Sequence, residues 1–348
     1  FSYLSGPERT DVVLLLDGFD EISSDPEARD TLTAEIAQLG HAFSWILTSR
    51  RAGFFGGLDE DIRYEVVDLD EDGIETLTRN WFAHQEIEAP GSFAEIVLDQ
   101  VFANERLLAM ARNPFLLTLL CHLQAASRQA LPLHRAGVYE RLIDCVTQQI
   151  RHRVKDDSIL APPVRSFLAR FCHHLYTDRS RTPRHLFDRD DWLAFEEGQP
   201  HPDLDRQLLP SRLLDKWGQS SGYHLVHLTF HEYFVAQALL GRPLEQALQK
   251  IYDPHWRVVL RFYGSLLWHS GRSADFRTLV RACLDPIDRL GVMYVEAASL
   301  LAEAGVEDSL AVLGYDLRDR LWRLWEENRP YIARSEEHTS ELQSPCNL

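Results

Sequence analysis

The sequence predicts an α/β segment followed by a mostly α-helical chain, and three observations carry that expectation. The run Val12-Val13-Leu14-Leu15-Leu16 is five branched apolar residues that stop at Asp17-Gly18-Phe19-Asp20-Glu21, as a buried strand ending in a cluster of carboxylates does. A second apolar run, Phe43-Ser44-Trp45-Ile46-Leu47, follows a helical stretch. From residue 70 onward the apolar residues recur at helical spacing, broken by one short strand region near Tyr223 and Leu225.

The first run suits a central parallel strand covered on both faces. Open α/β sheets bind ligands beyond the carboxyl ends of such strands, and an acid placed there needs a positive counterpart. In P-loop NTPases that counterpart is the magnesium ion on the nucleotide phosphates, so the run reads as a Walker B strand. It equally suits a plain strand-to-helix turn, with Gly18 supplying the bend and the acids favouring a helix N-terminus. Residues 34–39 fit a helix and residues 42–50 a second strand, giving a βαβ unit whose strand ends share one edge. Arg50 is then expected near Asp17 and Glu21, where it can pair with the Asp20 or Glu21 carboxylate. Residues 64–69 read as a third strand leading into the acidic helix start Asp70-Glu71-Asp72.

Farther along, Asn113-Pro114 opens a stretch that is apolar on every face. Pro114 belongs in a first helical turn, where its missing N–H costs nothing, and such a helix must be buried. Val138, Leu142, Val146, Ile150 and Val154 form one four-residue stripe of a helix over 138–154, opposite Glu140, Arg141, Asp144 and Gln148. A helix of similar character spans 164–176. His173 and His174, with His185 and His201, make a poor metal set, because adjacent histidines point to different sides of a helix and no cysteine or acid completes a zinc spacing. Tyr223 and Leu225 alternate as a short strand, and Thr229-x-x-Glu232 reads as a capping box opening a helix. His227 therefore lies just before a helix N-terminus. Residues after Pro243 read as a helical domain without a fixed-period repeat.

Four of these features, in this order, resemble the NACHT family of STAND NTPases: Asp17-Gly18-Phe19-Asp20-Glu21, Arg50, Asn113-Pro114, and His227 with Phe230, Glu232, Tyr233 and Phe234. The resemblance covers residues 11 to about 265. It implies the C-terminal half of a P-loop NTPase parallel sheet over 1–68, a helical subdomain over 69–130, a winged-helix domain over 131–241 and a second helical domain over 242–333. By the same resemblance Asp17 holds Mg2+ through water, Asp20 and Glu21 position or activate the attacking water, and Arg50 senses the γ-phosphate. Pro114 packs on adenine, and His227 reaches the ADP β-phosphate and locks a closed state. Exchange of ADP for ATP on an unknown trigger then permits self-association and signalling, with bacterial antiphage defence as the expected setting.

The chain contains no G-x-x-x-x-G-K-[ST], and its first lysine is Lys155. With Phe1 at its start it is expected to be a piece cut between Walker A and Walker B, with no turnover by itself and at best weak nucleotide affinity. Residues 334–348 resemble one reading frame of a sequencing-library adapter and are left out of the fold.

The net charge is −17, and an acidic surface of that size repels phosphate backbones. Nucleic acid is not an expected partner. Cys121, Cys145, Cys172 and Cys283 are widely spaced among apolar neighbours without a C-x-x-C, the usage of reduced core cysteines in a cytoplasmic protein. No apolar run reaches the eighteen or so residues needed to span a bilayer, so no membrane partner is expected. Two other functions compete: a non-hydrolysing helical scaffold, against which Asp17, Glu21, Arg50 and His227 all speak, and a winged-helix transcriptional regulator, whose segment lacks a basic face.

Overall fold

The computed structural model describes residues 13–19, 26–40, 44–49, 64–85, 89–154, 161–178, 186–195, 204–217, 222–284 and 292–306, with residues 313, 314, 319, 322, 323 and 326. The chain opens as α/β and continues as helices, as the sequence predicts. Strands β1 (Val13–Leu16) and β2 (Ser44–Leu47) pair in parallel with Leu14 opposite Trp45 and Leu16 opposite Leu47. Helix α1 (Pro26–Gly40) lies between them in sequence. Phe19 and Ile36 form a small core with Leu16, Leu32, Trp45 and Leu47 packed on it. One face of the strand pair is thereby covered, whereas Val13, Leu15 and Ile46 are exposed, Leu15 by 74%. The expectation of a strand covered on both faces fails among the described residues, because α1 is the one helix packed there and period-2 alternation turns every second side chain away from it.

The third strand expected over 64–69 is not formed. Tyr64, Val66 and Val67 are exposed, Val66 by 97%, and among the described residues no strand pairs with them. The segment is pinned at its end, where the Leu69 N–H donates to the Arg112 carbonyl at 2.8 Å. Helix α2 (Glu71–Ala83) then starts at the expected acidic run, with Asp70 as N-cap accepting from the Gly73 N–H at 2.8 Å.

Helices α3 (Pro90–Phe102), α4 (Glu105–Ala111) and α5 (Pro114–Ser127) follow. Leu117, Leu120, Cys121 and Leu123 of α5 are buried, as the unbroken apolar run requires. Helix α6 (Arg135–Val154) begins three residues earlier than its apolar stripe predicts, and α7 (Ala161–Thr177) brackets the expected 164–176. Arg165 on α7 ties three helices together, donating to Glu140 and Asp144 of α6 at 3.0 and 3.2 Å and to the Tyr233 hydroxyl at 3.1 Å.

Helix α8 (Arg189–Ala194) carries a capping box between Asp188 and Asp191. Strands β3 (Leu214–Trp217) and β4 (Gly222–Leu225) form an antiparallel hairpin, with Phe187 bridged to Tyr223. Helix α9 (Leu228–Leu240) is buried at Phe230 to Ala236 and at Leu239, and packs against α7 and α11 (Arg257–His269). Helix α10 (Leu244–Leu248) leads to α11, and α12 (Ser273–Leu284) and α13 (Val292–Glu303) close the described fold. One contiguous core runs from Ile74 to Leu313. No described helix is long and apolar enough to cross a membrane.

Two polar contacts bring α13 back onto earlier helices. Arg261 of α11 grips Glu296 of α13 in a fork, Nε to Oε1 at 2.9 Å and Nη2 to Oε2 at 2.8 Å, with Glu296 buried. Arg135 of α6 lies 3.9 Å from Glu303, whose carboxyl burial pushes up against the opposing pull of Arg135 and Arg261. Beside them His134 and His269 stack at 3.6 Å between ring centroids.

Glu296→Ala should lower the unfolding free energy by about 3 kcal/mol, since it strands the Arg261 guanidinium without its partner. The double change Arg261→Met/Glu296→Leu should recover most of that loss in denaturant titrations. Burial first, then the charges of His269 and Arg106, holds His134 down at about 4. Burial, with Arg242, His174 and Lys250, does the same to His173. Both folded values lie below the unfolded one near 6.5. The unfolded chain thus binds more protons between these limits, and the denaturation midpoint should hold above about pH 6.5 and fall as pH drops toward 4.

Candidate functional site

Asp17 follows the last residue of β1, and Thr48 follows the last residue of β2. Because Leu16 pairs with Leu47, the two next residues come level at the same sheet edge. The Thr48 hydroxyl donates to Asp17 Oδ1 and accepts from the Gly18 N–H at 3.1 Å. Backbone bonds from Thr48 N–H to the Leu16 carbonyl at 2.9 Å and from Phe19 N–H to the Thr48 carbonyl at 3.0 Å close the junction. Gly18 takes φ +78°, a left-handed conformation that turns the chain off the strand at little steric cost. Nothing in the Asp-Gly-Phe-Asp-Glu motif singles out Thr48; its place follows from parallel register. An exposed carboxylate beside a hydroxyl suits a hard cation that keeps most of its water, as magnesium does. Asp20, Glu21 and Arg50 lie outside the described residues. Among the described residues no three His, Cys, Asp or Glu side chains gather as a metal set.

The second group is built on two helix N-termini. Asn113 caps α5, accepting from the Leu116 N–H at 3.1 Å, and Pro114 occupies the first turn. Phe115 follows and stacks on His227 with ring centroids 3.9 Å apart and 18° between planes. His227 is itself the N-cap of α9. Its backbone is extended at φ −153°, ψ 143°, and Nδ1 accepts from the Thr229 N–H at 3.2 Å. The Thr229 hydroxyl lies 2.8 Å from the same nitrogen and is hydrogen-bonded to the Tyr139 hydroxyl.

The capping box expected at Thr229 and Glu232 is replaced by this imidazole cap. Glu232 is buried in the packed face of α9 and Thr229 is already helical, so the donor that needs a partner is met by His227 from outside the first turn. The fold thus places His227 beside the start of α5, 112 residues away from Phe115 in sequence. Asp17 belongs instead to the β1–β2 unit, whose small core is distinct from the main one. His173, the other histidine of note, is buried with its ring 6.3 Å from that of Trp256. Cys121, Cys172 and Cys283 are buried thiols that burial pushes up, Cys121 and Cys283 to about 12, which leaves them unreactive core residues.

No protein-family model matches the chain, and no curated protein matches it.

Asn113→Ala should cost about 1 kcal/mol of stability by orphaning the Leu116 N–H at the start of α5, whereas Asn113→Asp should be close to neutral. Equilibrium unfolding of the two variants checks this.

Proposed function

We propose that the chain is part of a nucleotide-switched signalling NTPase of the NACHT kind, which holds ADP in a closed state and self-associates after exchange to ATP. In this reading residues 1–68 belong to the rear of a P-loop NTPase sheet, residues 69–130 to a helical subdomain, residues 131–241 to a winged-helix domain and residues 242–333 to a second helical domain. Asp17 holds Mg2+ through water, and Asp20 and Glu21 position the attacking water. Arg50 senses the γ-phosphate, while Pro114 and His227 hold the base and the β-phosphate. Bound magnesium would neutralise the phosphate charge. A cytoplasmic setting in bacterial antiphage signalling belongs to the same proposal. The reading requires a phosphate-cradling loop, and residues 1–348 contain no G-x-x-x-x-G-K-[ST].

The observation that carries the reading is the stack of Phe115 on His227. A proline-led helix start and a cap histidine, far apart in sequence, share one place, and a single ligand bridging them would join α5 to the β4–α9 junction. Support comes also from Asp17 at the carboxyl end of a parallel strand, where nucleotide-binding sheets place their ligand. The transcription-factor alternative gains nothing from the β3–β4 hairpin, whose described side chains include the acid Asp215 beside the single lysine Lys216.

The test uses the parent protein with its phosphate-cradling loop. Loss of a hydrogen bond to a charged phosphate, about 1.5–3 kcal/mol, should weaken ADP binding roughly 10- to 100-fold in His227→Ala and raise basal signalling. Asp17→Ala should lower nucleotide-dependent activity. A His227→Ala protein as silent as its parent, with unchanged ADP affinity, removes the latch.

A further inference from the structure

We propose that Thr229 and Tyr139 are positioning residues that hold His227 as its Nε2–H tautomer, so that a neutral imidazole presents a hydrogen-bond donor. For the use of that donor, on a phosphoryl oxygen, the inference rests on the nucleotide-switch reading above. For the tautomer it rests on geometry alone.

The argument starts from the backbone. His227 Nδ1 receives the Thr229 N–H at 3.2 Å, and a peptide N–H can only donate. A proton on Nδ1 would point at that N–H, so this long bond biases the neutral ring toward a bare Nδ1 and a proton on Nε2, and the neighbouring hydroxyl completes the selection. The Thr229 hydroxyl, 2.8 Å from Nδ1, has one proton and two lone pairs. Directed at Nδ1, that proton strengthens the same tautomer and leaves the oxygen able to accept. Tyr139 supplies the matching donor. Its side chain is fully buried, and burial raises its phenol, so the proton stays on oxygen. Arg135 lies over the Tyr139 ring, its guanidinium carbon 5.9 Å from the ring centroid. With the Thr229 proton directed at Nδ1, the phenol donates to the Thr229 oxygen, and the order of donation runs Tyr139, Thr229, His227.

Packing makes the arrangement rigid. The imidazole plane is held by Phe115 at 3.9 Å, and Tyr139 is wedged by the rings of Phe230, Tyr233 and Phe262 at 4.9, 5.6 and 5.1 Å. Helices α6, α9 and α11 thus all contribute to fixing which nitrogen of one histidine bears hydrogen. Such a donor does not require protonation of the ring, whereas an imidazolium would lose its cap bond to Thr229. A latch built this way discriminates by the acceptor placed before it.

Nitrogen-15 NMR of the full chain with labelled histidine tests this directly. In the wild type the His227 Nδ1 resonance should be pyridine-like and Nε2 pyrrole-like. Thr229→Val, close to isosteric, should draw the two resonances toward one another as the tautomers mix, Tyr139→Phe should do so to a smaller extent, and Thr229→Ser should restore the wild-type pattern. A pyrrole-like Nδ1 in the wild type, or a Thr229→Val spectrum identical to the wild type, overturns the proposal. If Thr229→Val does not fold by circular dichroism, the wild-type, Thr229→Ser and Tyr139→Phe spectra still decide it. A separate titration of the parent protein with Mg-ADP distinguishes the two inferences. A fixed tautomer whose Nε2 resonance ignores ADP supports the positioning role and removes the phosphate latch, while an Nε2 shift supports both.

Discussion

The enclosure of α9 is the constraint on which the rest of the described helical fold depends. Residues 230–236 of this helix are all buried, so no face is left for solvent and neighbours must surround it. Helices α7 and α11 take the two largest contacts, and α6 reaches it through Tyr139. Even its polar residues are accommodated inside: His231 Nε2 meets the Cys172 carbonyl at 2.9 Å, and the Tyr233 hydroxyl accepts from Arg165 and from Gln237. A helix so enclosed has its N-terminus fixed in space to within the tolerance of core packing. The residue that caps it inherits that precision, and that residue is His227.

The same logic extends outward. The α11–α13 fork between Arg261 and Glu296 and the approach of Gly264 to Leu300 and Phe276 hold the later helices on the far side of α11. A Cβ on Gly264 would meet Leu300 at 3.0 Å and Phe276 at 3.2 Å, so the close approach depends on the absence of a side chain there. The β1–β2 unit stands on a separate and much smaller core. Its order comes from backbone pairing and from the Thr48 bonds that tie one strand end to the other. Two sites of interest therefore have different physical supports: a hydrogen-bonded sheet edge for Asp17, and a packed helical core for His227.

Much of this was legible in the residues. The apolar run after Pro114, the alternation at Tyr223 and Leu225, and the four-residue stripe from Val138 each announced an element that forms, because their periods are those of the structures they build. Residues 64–69 misled for the same reason: a β-prone composition describes what a segment can join, and among the described residues no strand pairs with Tyr64, Val66 and Val67. Thr229 and Glu232 misled differently. Their spacing fits a capping box, but burial of Glu232 against the α9 neighbours removes it from the helix start, and the vacancy in the first turn is filled by the imidazole of His227.

By itself the sequence determined the α/β opening and helical continuation, the proline at the start of α5, the carboxylate at the end of β1 and the histidine ahead of α9, since each follows from local pattern and backbone chemistry. Tertiary structure alone decided that Thr48 would stand level with Asp17, that Phe115 would stack on His227, and that Tyr139 would reach Thr229 across ninety residues. Those pairings depend on strand register and on how enclosed helices pack. Both are set by surfaces distant in sequence meeting at close-packed density, which no local period encodes.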